Sequence, residues 1–186
     1  LAMEINNWLK QDLKSRNFIT WIFFEVIKNK IDTLKFVWMW HEPMLVYREN
    51  TKTVESIIPG GLAGGIRVIK EKSDVKIKDL EMSANDIILM YSDGIIENKN
   101  SDGEFYGMER LKLSFEKISA AEKDITKIYE YIVNDVQWFK WGSSFEDDVS
   151  VLVIKRDVDK DIISEDSDYL QDITLKKGLT KKQVKK

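Results

Sequence analysis

Two aspartate-bearing segments carry the chemistry this chain can offer. The first is Tyr91-Ser92-Asp93-Gly94-Ile95-Ile96-Glu97, which directly follows a compact apolar run at 87–91. A carboxylate at the end of a rigid strand stands where a site can be built, and the glycine beside it admits close approach of backbone or ligand. Asp-Gly is also a common turn dipeptide, so this segment alone leaves site and turn both open. The second is Glu146-Asp147-Asp148, just ahead of the apolar stretch 149–155. Adjacent acids repel unless a cation or a donor sits nearby. Successive strand side chains point to opposite faces, so Asp147 and Asp148 meet different surroundings if the strand has begun. Two aspartates from distant strand ends can converge on Mg2+ or Mn2+, which take carboxylates and waters in octahedral geometry. A pair of such ions activates water for attack on a phosphate and stabilises the developing charge. The chain has no cysteine and a single histidine, His41. Thiol nucleophiles, cysteine zinc sites and multi-histidine sites are excluded, and an oxygen-only centre is the metal site this composition best permits.

Other motifs reach less far. Asn98-x-Asn100-x-Asp102-Gly103, with Glu109 six residues beyond the glycine, comes close to a calcium-binding loop. It opens on asparagine and follows a strand, where a calcium hand needs an incoming helix; the competing reading is a polar turn into a helix. The glycine run at 59–65 matches neither phosphate-binding fingerprint and reads as a loop. His41, in Trp40-His41-Glu42-Pro43, is by type more often a structural hydrogen-bonding residue than a catalytic one. Trp38 and Trp40 would share one face of a strand. No basic patch accompanies them, and 29 basic against 32 acidic residues give a net charge of −3, so no nucleic-acid partner is expected.

The elements that must position these residues follow from periodicity. Ile5, Trp8, Leu9 and Leu13 make a helical stripe over 3–13. Segments 18–27, 34–40, 44–48, 54–58, 66–70, 75–80 and 86–91 read as strands, with turns at 29–33 and 51–53. Residues 108–118 and 121–139 are helical by period, with Ile125, Ile128, Ile132 and Val136 on one face of the second. Residues 149–155 form a last strand. Many short strands, two helices and a closing strand predict an α+β fold and argue against an alternating parallel sheet. With 43% hydrophobic residues the chain can bury a core, expected over 1–156. Beyond it, 157–172 carry seven acids and one lysine, and 176–186 carry six lysines and no acid. This reads as a charged, disordered or loosely helical tail. No segment approaches the roughly 20 apolar residues of a membrane span, and the start is no signal peptide, so a cytoplasmic location is expected. The chain starts at Leu1 without a methionine, as an excised part of a longer protein would.

The order of these motifs resembles the bacterial SpoIIE-type serine/threonine phosphatases of the protein phosphatase 2C (PPM) superfamily. That family shows a strand ending in Thr/Ser-Asp-Gly, then an acid-containing stretch, then Asp-Gly-Glu-Phe-x-Gly before a helix, and later Asp-Asp-hydrophobic-Thr/Ser. Here these are Ser92-Asp93-Gly94, the segment 102–107, and Asp147-Asp148-Val149-Ser150. Asn6 to Leu9, Phe18-Ile19-Thr20 and His41-Glu42-Pro43 resemble weaker landmarks, so that the likeness covers about 1–155. It implies an antiparallel β-sandwich flanked by helices, incomplete at its N-terminus because the family's upstream Gly-Asp and Asp-x-x-Gly-His-Gly-like segments precede the point where this chain starts. It implies a two-metal Mn2+ or Mg2+ centre with Asp93 and Asp147 as ligands, Gly94 and Asp148 as neighbours or further donors, and His41 on the substrate side. A metal-bound water would attack phosphoserine or phosphothreonine directly. The partners implied are a phosphoprotein such as an anti-sigma factor antagonist and an N-terminal sensor module; a second copy of the chain could supply the missing strands, which leaves a homodimer open. The alternative is a non-catalytic, truncated or degenerate phosphatase-like interaction module. Trp40 departs from the pattern, standing where the family usually has glycine before the histidine.

Overall fold

The computed structural model describes residues 1–13, 17–26, 32–58, 60–141 and 148–157. They form an α+β fold of antiparallel sheets and helices, as expected, arranged in two compact units. The proposed tail beyond 157, the turn residues 29–31 and Asp147 lie outside the described residues.

One unit comprises Glu42–Ile57 and the chain from Ser83 onward. Its sheet has the order β4-β3-β6-β7, with β3 at Met44–Arg48, β4 at Thr53–Ile57, β6 at Ile87–Tyr91 and β7 at Val151–Lys155. All five residues of β6 are buried, which is why the run reads as continuous apolar sequence with no alternation. Cross-strand pairs Leu45–Leu89 and Tyr91–Val151 fix the register that sets Asp93 beyond one end of the sheet. Helices α3 (Met108–Ala121) and α4 (Ile125–Phe139) pack Leu111, Phe115, Ile128, Ile132 and Val136 into the same core as Leu45, Leu89 and Tyr91. The second helix starts four residues later than its periodicity predicts, because Asp124 caps it by accepting a 2.8 Å bond from the Thr126 N–H. Glu122 caps the break from the other side. Its carboxylate accepts the Asp124 and Lys123 backbone N–H groups and pairs with Lys127, which together pull its pKa down to about 2. At the opposite end of β6 from Asp93, buried Asp86 accepts from Arg48 (2.8 Å), from the Glu49 N–H and from the Ser83 N–H.

The other unit comprises Leu1–His41 and Ile58–Met82. It contains α1 (Ala2–Asp12), β1 (Trp21–Val26), β2 (Thr33–Met39) and β5 (Ile77–Glu81) in the order β1-β2-β5. Leu34, Phe36 and Trp38 alternate into its core from β2. The segment 66–70, read as a strand, is a loop. Its backbone groups are taken by side chains of α1: Asn6 donates to Arg67 O and accepts from the Gly65 N–H, while Asn7 accepts from the Ile69 N–H and donates to Ile69 O. Those bonds replace a ladder. Trp38 and Trp40 do not share a face. The strand ends at Met39, and Trp40 turns into the left-handed region at φ 47°, leaving Trp38 buried and Trp40 exposed. A left-handed φ favours glycine, so Trp40 holds a backbone conformation that side-chain-bearing residues rarely adopt. Among the described residues no helix is long and apolar enough to cross a membrane.

Candidate metal centre

The chain leaves β6 at Tyr91 and immediately enters a single helical turn, α2 (Asp93–Ile96), with Asp93 as its exposed first residue. Asp93 Oδ1 accepts the Gly94 N–H at 2.9 Å, and the Glu97 N–H closes the turn on Asp93 O at 2.9 Å. Asn98, buried beneath it, donates to Gly94 O. The turn is clasped to the entrance of the last strand. Ser92 N–H donates to Ser150 O (3.0 Å), Ser150 N–H donates to Ser92 Oγ (2.9 Å), and the Ser92 hydroxyl donates to Asp148 O (3.2 Å). Gly94 lies so close that a Cβ built there would stand 2.4 Å from Asp148 O, a distance no side chain tolerates. The two acidic motifs, over fifty residues apart in sequence, are thus joined backbone to backbone at Gly94 and Asp148.

The electrostatics around Asp93 are one-sided. Burial, then Asp93, then Glu97 raise the pKa of Glu42 above its ordinary value. Burial, and then Glu42, push the Tyr91 phenol up as well. Asp93 and Glu97 thus each act on Glu42 as a like charge, a repulsion that a cation would relieve. Neither Glu42 nor Glu97 was singled out from sequence. Glu97 could have been, since it follows Asp93 by four residues, one helical turn; Glu42 carries no such signal, because its approach to Asp93 is set by the β3–β6 pairing.

Oxygen donors of this kind suit Mn2+ or Mg2+ and suit nothing softer. Among the described residues no three acidic, histidine or cysteine side chains form a group that could hold a metal ion. Asp148 is exposed and adjoins Gly94 through its backbone. Asp147 lies outside the described residues. His41 belongs to the other unit, where its ring meets Trp38 edge-on at 6.2 Å. The calcium-loop reading is corrected. Asn100 Oδ1 accepts the Asp102 and Glu104 N–H groups at 3.0 and 2.9 Å, and its Nδ2 donates to Glu104, so the side chain that should face an ion builds the turn itself.

Several known proteins resemble this chain. The family model for Stage II sporulation protein E (SpoIIE) matches residues 1–157. Phosphoserine phosphatase RsbU of Bacillus subtilis is 25% identical over 156 residues, which are 83% of this chain and 44% of that protein. The phosphatase domain of SpoIIE from Bacillus subtilis, in a structure presoaked with Mn, aligns with a TM-score of 0.54 at 21% identity over 75% of this chain and 57% of that one. The SiaA-PP2C domain of Pseudomonas aeruginosa aligns with a TM-score of 0.62 at 10% identity over 81% of this chain and 56% of that one. The chain thus spans about half the length of the relatives it matches, and the structural likenesses show a shared PP2C-type fold. It belongs to the SpoIIE family and shares the PP2C-type fold.

Proposed function

We propose that this chain contributes the Asp93 side of a Mn2+- or Mg2+-dependent protein phosphatase that hydrolyses phosphoserine or phosphothreonine on a signalling partner. One observation carries the reading: the Ser92–Gly94 turn is hydrogen-bonded to the Asp148–Ser150 strand entrance, which fixes two acidic motifs beside each other at the end of a buried sheet. Asp93 and Asp147 would hold the metal, with Asp148 and Gly94 shaping its surroundings. When bound, such ions supply an activated water and charge neutralisation at phosphorus. The chain's own contribution is positional and electrostatic. Ser92 and Gly94 hold Asp93 in place, and the like-charge pressure of Asp93 and Glu97 on Glu42 favours any divalent cation that enters. The name of the RsbU relative supports a phosphoserine substrate. An anti-sigma factor antagonist as substrate, and a sensor module ahead of this domain, follow from the family resemblance.

The test is Mn2+-dependent hydrolysis of p-nitrophenyl phosphate by this chain and by a version extended N-terminally, each with Asp93→Asn. Hydrolysis that needs Mn2+ and falls to background in Asp93→Asn supports the proposal. Calorimetric Mn2+ affinity unchanged by Asp93→Asn removes Asp93 from the site. Background activity in both folded lengths favours the non-catalytic interaction module.

A further inference from the structure

A second site lies in the unit of Leu1–His41 and Ile58–Met82, apart from the acidic motifs in sequence and in composition. It is a cavity of about 310 Å3 between the start of α1, the end of β2 and the segment 60–76. Its lining includes Trp38 and Met39, both buried and contributed by the last residues of β2. Leu62, Ala63, Ile69 and Val75 add apolar wall.

Two features make it a built cavity and not an accidental gap. First, the wall is stapled. Four side chain–backbone hydrogen bonds of 2.7 to 3.0 Å tie Gly65, Arg67 and Ile69 to Asn6 and Asn7 of α1. Buried Asn6 thereby has both ends of its amide satisfied. Second, the opposite wall is laid directly on the strand. A Cβ at Gly61 would stand 2.5 Å from Trp38 O, and one at Gly64 would stand 1.9 Å from the Trp21 ring. Only glycine permits that approach, so the loop's course beside β2, at Gly61, and beside the first residue of β1, at Gly64, is fixed by steric fit.

The lining also carries three charges, Arg67, Lys76 and Asp74, and none of them makes an ion pair among the described residues. The apolar wall selects a flat apolar body. Two cations against one acid select an anionic head, and a guanidinium matches a carboxylate with two parallel hydrogen bonds. The lining is mixed, with Asn6, Arg67, Asp74 and Lys76 beside the apolar residues, and a volume of about 310 Å3 has room for a ring with a short carboxylate arm. We infer that this cavity is a binding site for a small aryl or alkyl carboxylate, distinct in residues and in chemistry from the phosphatase motifs.

The experiment is a titration of the full chain, 15N-labelled at its tryptophan indoles, with phenylacetate, and in parallel with phenylacetamide and phenethylamine. The expected result is a saturable shift of the Trp38 indole signal by phenylacetate with a Kd of about 1 mM. Arg67→Ala should weaken it about fivefold or more, as loss of a charge-assisted pair does, and the amide and the amine should bind more weakly than the acid. Arg67 is exposed, so this variant folds; Lys76→Ala gives a second reading of the same charge preference. A Trp38 signal that stays put or shifts without saturation overturns the inference. So does equal binding of phenylacetate and phenethylamine, or affinity unchanged in both Arg67→Ala and Lys76→Ala.

Discussion

The two units build antiparallel sheets by different means. In the unit of β3, β4, β6 and β7, the central strand Ile87–Tyr91 is buried throughout and two helices cover the sheet, so that seventeen buried side chains form one continuous core. In the unit of β1, β2 and β5, only Leu80 of β5 is buried. Its core is thin, and its long loop is held by two asparagines. The first unit rests on apolar burial, which is non-directional and tolerant of detail. The second rests on a few directed hydrogen bonds, each of which is exposed to a single substitution. The candidate metal centre sits on the sheet with the large core, where Asp93 inherits the rigidity of β6.

Several substitutions break or sharpen this contrast. The largest effect should come from cavity formation. Leu89→Ala, fully buried under the helices, should cost about 3–4 kcal/mol, and Leu80→Ala nearer 2, because a thin core collapses around a void more readily. Urea unfolding of both variants decides this, and equal losses would erase the distinction. Next comes Asn6→Ala, which strands Arg67 O and the Gly65 N–H and should cost about 2 kcal/mol with faster amide exchange at Gly65. Unchanged exchange there would show that the loop stands without its staple. Smaller again is the backbone at Trp40, where Trp40→Gly should exceed Trp40→Ala in stability by about 1 kcal/mol, because only glycine meets φ 47° without strain. The comparison with alanine separates backbone strain from loss of the indole.

The smallest effects are titrations, and they have opposite signs. Glu122, with its pKa lowered to about 2, contributes stability that is present above the ordinary carboxylate value and is lost as pH falls toward 2. Glu122→Gln should therefore flatten the acid limb of a stability–pH profile. Glu42 is raised, so its contribution is present below the ordinary value of 4.5 and is lost as pH rises through its own higher value. Glu42→Gln should accordingly gain on the parent at neutral pH and not in acid. A neutral-pH loss in that variant would mean that the repulsion with Asp93 and Glu97 is already compensated.

Legibility in the sequence followed the same divide. β6, the helix stripe of α4 and the Asp93 turn were readable because burial on both faces, a 3.6-residue period and a strand-ending Asp-Gly leave strong local patterns. The loop at 66–70 was not, because Ile66 and Val68 flank Arg67 in strand-like alternation while the side chains that hold the backbone of Arg67 and Ile69, those of Asn6 and Asn7, lie some sixty residues away. The late start of α4 was hidden because Glu122 and Asp124 look like ordinary helix residues until their side chains are seen capping backbone. Of the candidate site, Asp93 and Gly94 were legible and Glu42 was not. Its approach to Asp93 is a product of sheet register, and register depends on pairs that no local window contains.

The distribution of tryptophan has an optical consequence. Trp8, Trp21, Trp38 and Trp40 all belong to the unit of β1, β2 and β5, while Trp138 and Trp141 of the other are 82% and 84% exposed. The one deeply buried indole is Trp38. A blue-shifted emission component, and its loss during denaturation, therefore reports the thin-cored unit alone. The large-cored unit contributes only the red-shifted emission of its two exposed tryptophans, and its buried reporters are the tyrosines Tyr47, Tyr91 and Tyr106. Fluorescence followed in these two channels would show directly whether the chain melts in one step or two.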